Sequence, residues 1–308
     1  MVYENTHLWA AQQIKNRIEN RLIAEMIGGY ADFYYLGAVF PDILYYSRDP
    51  RVSRAAYFLH GDTGVPTNHF IFGVLDQIKD RPDDKTLVFA WGFLTHCALD
   101  IVFHPVVFYF SGYTPRDDPT SQLNSEYRHL HYETIIDRHF NDRAFLEDMI
   151  NPAVVKDLIL PPMGNISRRD IQNCLKKQIF YFRLIHNRLY YLIFKKLAQM
   201  GLADKRLVAG FYANLAVETK TLPQKLVYRD IISGSDRETT LEDLMEDSID
   251  MAVKMIGAAY EYYAGNISRQ SCQHTIAGHN LDTGRCDKTK EDIRFSIRSQ
   301  PGKAGIED

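Results

Sequence analysis

Residues 86–110, TLVFAWGFLTHCALDIVFHPVVFYF, are the stretch from which the rest of the chain can be read. The run is almost wholly apolar, yet it carries His96, Asp100 and His104 in one line. Spacings of four and four put these three side chains on one face of a helix, one turn apart. Burying imidazole and carboxylate in so apolar a segment costs several kcal/mol unless something pairs with them. A divalent metal suits two imidazoles and a carboxylate together. Pro105 cannot donate to the helical ladder and crowds the carbonyl of Ile101, so a bend or an end is predicted near His104. Such a bend turns His104 out of line with the other two, toward a neighbouring metal.

Two plainer readings compete. The run is long enough to span a bilayer, but two His and an Asp in its central and later part are expensive against lipid. A core helix whose polar groups bond internally accounts well for one buried His and less well for an H-x3-D-x3-H row.

The 308-residue chain is long enough for one large domain or two modest ones with an ample core. Apolar content of 45% and charged content of 24% are those of an ordinary soluble globular protein. A net charge of -3 makes no electrostatic case for binding nucleic acid or an anionic membrane. The 19 Tyr and 17 Phe suit a packed helical core with an aromatic-lined cleft. The first twenty residues contain no apolar h-region, so a cytoplasmic location is expected. Cys97, Cys174, Cys272 and Cys286 are scattered and form no C-x2-C pair, which suits reduced thiols rather than a disulfide framework.

Taken in order, HLWAAQQIKNRIENRLIAEMI predicts one helix from His7, closed by Gly28-Gly29. FYYLGAVFPDILYY follows, apolar apart from Asp42, which is as suited to an N-cap as to a ligand. Residues 43–64 read as irregular loop and contain His60. Asn68 to Ile78 reads as a helix in which His69 sits early in a structural role, and RPDD at 81–84 as a turn and N-cap into the central helix. In EYRHLHYETIIDRHF, His129 and Glu133 are four apart and Asp137 continues their face, with His131 the rival ligand. Residues 167–200, 203–216 and 240–264 read as helices, with few strand-like alternations anywhere. The amphipathic stretch 179–198 reads as core-facing, a membrane-surface helix being the alternative. The expected organisation is a helical domain over 1–265 and a polar tail over 266–308 that packs on it. Cys272, His274, His279 and Cys286 in that tail match no ordinary zinc-finger spacing.

The candidate ligands in order are His7, Asp42, His60, His96, Asp100, His104, His129 and Glu133. Five imidazoles and three carboxylates suffice for two or three zinc-like ions, each with an open position for water or substrate. Two such ions about 3.5–4 Å apart can hold a hydroxide and clamp both oxygens of an in-line phosphoryl displacement.

This order, with YLGAVFPDI and HCALDIVFHP as its most specific pieces, resembles the zinc-dependent phospholipase C family, whose fold is shared with single-strand-specific zinc nucleases. The resemblance covers roughly residues 5–140 by motif and the helices to about 265 by character. It implies an all-α multi-helix bundle with a zinc cluster in a cleft. It implies that His96 and Asp100 form an H-x3-D pair, with Asp100 bridging two metals. His104, His129 and Glu133 then match the ligands of a more separate metal, His7 and Asp42 a third site, and His60 the remaining ligand beside His96. Asp42 is also where the family places a carboxylate able to orient or deprotonate the attacking water. Secreted members use the amine of their first mature residue as a ligand, whereas six residues precede His7 here. The interval from Asp100 to His104 is also shorter than in the secreted lipases.

The function these features imply is a phospholipase C-like phosphodiester hydrolase, with a metal-bridged hydroxide attacking phosphorus. One alternative is a non-catalytic helical protein whose metal cluster stabilises the fold. A nuclease-type phosphodiesterase on the same fold is another, but no basic, aromatic-interleaved groove is in view and no stable nucleic-acid partner is expected. An HD-type phosphohydrolase needs an adjacent His-Asp pair, which the sequence lacks.

Overall fold

Helix α6 (Asp84–Ser111) runs through the middle of the protein. The computed structural model describes residues 4–115, 118–140, 146–212 and 223–299. The side chain of Asp83 caps α6 by accepting from the Thr86 amide, and Gly112 ends it in the left-handed region at φ 70°. Among the described residues α6 is the one helix long and apolar enough to cross a membrane, but 94% of its apolar window is buried inside the fold. It is the core helix of a globular body.

The helix does not end near His104 but is continuous through Pro105 to Ser111. The ring leaves the Ile101 carbonyl without its helical donor. Gly284 of the C-terminal segment packs closely on that oxygen, where a Cβ would stand 2.5 Å away.

Helix α3 (Ala31–Ile43) crosses α6 at very short range. A Cβ on Gly37 would collide with the Phe89 carbonyl, and one on Gly92 with the Tyr34 carbonyl. Two side-chain-free positions therefore let the two backbones touch. Around this pair lie α1 (Glu4–Arg17), α2 (Arg21–Gly29), α4 (Pro50–Leu59), α5 (Asn68–Asp80), α7 (Pro119–Phe140) and the short α8 (Leu146–Met149). Then come α9 (Arg168–Ile185), α10 (Arg188–Gln199), α11 (Arg206–Ala209), α12 (Leu241–Tyr263) and α13 (Arg269–Thr275). One antiparallel hairpin, Leu226–Arg229 with Asp236–Thr239, is the β structure among the described residues. The fold is all-α.

Several local expectations are corrected. The first helix is two, because Asn20 accepts from the amides of Leu22 and Ile23 and starts α2 afresh. Residues 43–64 are largely helical: a 3-10 turn spans Leu44–Tyr46, and Asp49 with Pro50 forms an N-cap and first position for α4. Residues 167–200 hold two helices, since Asn187 caps α10 after α9 ends. Of the helix expected over 203–216, α11 is helical and residues 213–216 lie outside the described residues. Helix α10 is not the core-facing helix expected: of its residues only Tyr191 is fully buried.

The C-terminal segment joins the core. Thr67 Oγ1 donates to the His279 carbonyl, Asn68 Nδ2 to the Ile276 carbonyl, and the Leu281 amide to the His60 carbonyl. Leu281, Ile276 and Cys272 are buried there.

Candidate metal centre

The eight residues singled out in the sequence converge in one buried region. His7 lies in the first turns of α1, Asp42 in the last turn of α3, and His60 just past α4. His96, Asp100 and His104 come from α6, His129 and Glu133 from α7. Asp42 is inside a helix near its C-terminal end, so the N-cap alternative falls away. All eight side chains are buried or nearly so; the most open, His129, is 14% exposed.

Asp100 is the hub. Its Oδ1 lies 3.4 Å from His7 Nε2 and 3.5 Å from His104 Nε2, and its Oδ2 lies 3.0 Å from His96 Nε2 and 3.7 Å from His60 Nε2. Asp42 Oδ1 is 3.1 Å from His60 Nε2 and 3.8 Å from His96 Nε2, whereas its nearest approach to His7 is 3.9 Å. Glu133 Oε1 is 3.0 Å from His129 Nε2 and 3.6 Å from His104 Nε2. Three groups of ligand atoms are close enough to hold an ion: His7, His96 and Asp100; Asp42, His60 and His96; His104, His129 and Glu133. His96 serves two of them. Asp42 thus falls with His60 and His96, while His7 falls with His96 and Asp100.

Backbone carbonyls set the tautomers. His60 Nδ1 donates to the Ala56 carbonyl at 2.7 Å, His96 Nδ1 to the Ala38 carbonyl at 2.9 Å, and His104 Nδ1 to the Leu281 carbonyl at 3.1 Å. A carbonyl only accepts, so each Nδ1 carries hydrogen, and Nε2 is the nitrogen that each ring turns to the centre. Those Nε2 atoms face carboxylate oxygens, an arrangement that either a proton on the ring or a metal cation between the two groups resolves. Both Asp100 oxygens, the Nε2 atoms of His96 and His104, and both His7 nitrogens are buried without a hydrogen-bond partner. Orphaned groups at this depth are rare and costly. Tetrahedral zinc with imidazole and carboxylate ligands fits this donor set, and the Nδ1–carbonyl bonds are the usual second support of metal-binding imidazoles.

The electrostatics agree. Burial pushes Asp100 up, but the imidazoles of His104 and His96 outweigh it and hold its carboxyl well below the usual range. Asp42 is likewise lowered against its burial by His96 and His60. Burial disfavours charge on His104, yet Asp100 raises it to about 10, so without another cation this site keeps a proton there. Burial lowers His7 and His129, which favours their neutral, metal-binding form. The rings of His7 and His96 stack 4.0 Å apart.

Several other titratable side chains do not join the groups. His69 is exposed at the start of α5, and His139 bonds Glu242. His131, the rival ligand, stacks 6.3 Å from Tyr127 and belongs to none of the three groups. Asp137 continues the His129 face but reaches α1 instead. Its Oδ1 accepts from the Thr6 amide at 2.5 Å and the Thr6 hydroxyl at 2.7 Å, and its Oδ2 from the Tyr212 hydroxyl at 2.5 Å. Glu4 accepts from Tyr46 and Gln178. These bonds anchor the turn that carries His7. The cysteines are free, and neither they nor His274 and His279 belong to any group.

Two contributors escaped the sequence reading. Asp282 Oδ1 lies 3.6 Å from His104 Nδ1, and the Leu281 carbonyl holds the same ring. Asn280 shapes this turn, its Oδ1 accepting from the amides of Asp282 and Thr283. Nothing in the sequence marks these positions, because they lie some 180 residues beyond the helix they support.

The family model described as zinc dependent phospholipase C matches residues 6–188 of this chain. No curated protein and no solved structure matches it.

Proposed function

The chain belongs to the zinc-dependent phospholipase C family, and from that premise we propose that it is a zinc-dependent phosphodiester hydrolase of the phospholipase C type. The observation that carries this reading is the convergence of eight buried donor side chains on a centre where, among the described residues, imidazole nitrogens face carboxylates and several of these atoms have no hydrogen-bond partner. Zinc bound there supplies Lewis acidity toward phosphoryl oxygens and makes water acidic enough to attack at neutral pH. The three groups could hold up to three ions, and His96 belongs to two of the groups.

The chain's own residues prepare the site. The carbonyls of Ala38, Ala56 and Leu281 fix three imidazoles in the ligand tautomer before anything binds. Asp100, ionised and central, sets the distances between the groups. Asp42 is ionised and beside His60 and His96, where its carboxylate orients the attacking water and accepts its proton. Burial of the whole set keeps bulk water from the reacting atoms.

The test is metal content by mass spectrometry on protein purified without chelator, alongside hydrolysis of bis(p-nitrophenyl) phosphate and of phosphatidylcholine micelles. Stoichiometric zinc and turnover that disappears in His96→Ala and Asp100→Asn support the proposal. A zinc-loaded protein inert toward every phosphoester overturns it and leaves a structural metal cluster. Cleavage confined to single-stranded DNA redirects it to the nuclease relatives of the fold.

A further inference from the structure

Helices α9 and α10 form the most unusual surface of the molecule. The inner side of α10 is satisfied: Tyr191, Phe194 and Ala198 pack with Val208 and Phe211. Its outer side is also apolar. Leu189, Leu192, Ile193 and Met200 recur at helical spacing on one face, and they are 64%, 52%, 44% and 60% exposed. Phe180 of α9 and Leu202 after α10 are exposed as well. An apolar helix face ordinarily packs into an interior, yet this one faces outward. Contiguous exposed apolar surface of this kind marks an interaction site.

Charge narrows the partner. Between residues 168 and 206 ten Lys or Arg stand against two Asp, although the whole chain is net negative. The whole-chain charge of -3 therefore conceals a strongly cationic segment. Lys176, Lys177, Arg188 and Lys196 are all exposed, with Lys196 set within the apolar face. Nucleic acid would engage the cations and leave the leucines wet. An anionic lipid surface takes both at once, apolar side chains into the acyl boundary and cations against the head groups. The segment is also tied to the more open end of the metal centre: Lys205 bonds Asn124 and Arg206 bonds Glu126, on the helix that carries His129 and Glu133.

We propose that the outer face of the α9–α10 hairpin docks this protein on anionic phospholipid surfaces. The residues define the surface by themselves; its purpose, bringing the metal centre to its substrate, rests on the phospholipase reading.

The probe is co-sedimentation of the full, zinc-loaded chain with phosphatidylglycerol vesicles and with phosphatidylcholine vesicles, for the wild type and Leu192→Asp/Ile193→Asp. A second variant, Lys176→Glu/Lys177→Glu/Lys196→Glu, tests charge alone. Wild-type protein sediments with the anionic vesicles, and high salt weakens binding. Each variant loses roughly tenfold or more in partitioning, the first because apolar side chains of this size leave the lipid and the second because three cations leave the anionic surface. Both variants keep wild-type turnover of bis(p-nitrophenyl) phosphate, so failure of docking and failure of the hydrolase reading are separable. Absence of wild-type binding to anionic vesicles overturns the proposal, as does equal binding by both variants. A wild-type dimer that the Leu192→Asp/Ile193→Asp change makes monomeric, without vesicle binding, also overturns it and assigns the face to self-association.

Discussion

Asp100 stands one helical turn from His96 on one side and from His104 on the other, with its Oδ2 3.0 Å from the first Nε2 and its Oδ1 3.5 Å from the second. One carboxylate thereby couples groups that otherwise belong to separate sites. Its position accounts for a buried Asp in so apolar a helix: the imidazoles around it lower its pKa and could hold, with it, the cations it requires.

Asp100→Asn keeps the shape of the side chain but removes its charge. Metal content should fall by the ion of the His7, His96 and Asp100 group, and phosphodiester turnover by about a thousandfold or more, comparable with loss of a major electrostatic contributor. Mass spectrometry and a turnover assay on the same sample check both numbers; full zinc content in this variant would deny Asp100 its central role.

Metal removal should destabilise the whole fold, because the carboxylates of Asp42, Asp100 and Glu133 are then left close together in the core. A ligand at a thousandfold over its dissociation constant stabilises by about 4 kcal/mol per site. Treatment with a chelator should therefore lower Tm markedly, and added zinc should restore it. An unchanged melting curve after complete chelation would show that the fold does not depend on the cluster.

Asp282→Asn addresses the support of His104 from the C-terminal segment. Its carboxylate lies 3.6 Å from His104 Nδ1. Loss of such an outer partner typically weakens metal affinity by about 10- to 100-fold. Competitive zinc titration should show one class of site weakened and the others intact. Uniform weakening of every site would instead mean that the substitution disturbs the fold as a whole.

Gly92→Ala tests the contact between α3 and α6. The added methyl collides with the Tyr34 carbonyl, which is backbone and cannot rotate away. Overpacking of a core typically costs about 1–3 kcal/mol, and backbone resistance puts this change at the upper end. Thermal unfolding should show a Tm lower by several degrees, with zinc lost as Asp42 moves from His96. Gly257→Ala, inside α12 where a Cβ meets nothing, is the matched control and should be at least as stable as wild type.

Asp137 gives a pH dependence outside the metal ligands. Burial raises its pKa to about 8, against the hydrogen bonds from Tyr212 and Thr6 that lower it. The folded chain holds this proton more tightly than the unfolded chain, whose value is near 3.8. The resulting stability is complete below that lower value and is lost as pH rises through about 8. Asp137→Asn, compared with wild type at equal zinc loading, should therefore show a smaller fall of Tm between mildly acidic and mildly alkaline pH. Parallel curves for the two proteins would count against a protonated Asp137.

Much of this architecture was legible from residue spacing. The H-x3-D-x3-H row and the H-x3-E pair are i, i+4 patterns, and a helix turns such patterns into adjacent side chains whatever its surroundings. The caps at Asp83 and Thr240 follow from local chemistry in the same way. Less legible were features in which a local signal was overridden. Pro105 reads as a break, but the body packed on both sides of it, including Gly284 against the Ile101 carbonyl, makes a continuous helix the better solution. Stretch 179–198 reads as core-facing because amphipathicity tells that a helix has an apolar side, not that something covers it.

The sequence by itself determined an all-helical chain and which side chains share a helical face, because those relations depend only on backbone geometry over a few residues. Only the tertiary structure decided how the faces meet. Gly37 and Gly92 bring Asp42 to His96, Asp137 holds the turn bearing His7, and Leu281 and Asp282 return from the far end of the chain to brace His104. Contacts between segments so distant in sequence are selected by the packing of the whole core, and no local pattern of residues encodes them.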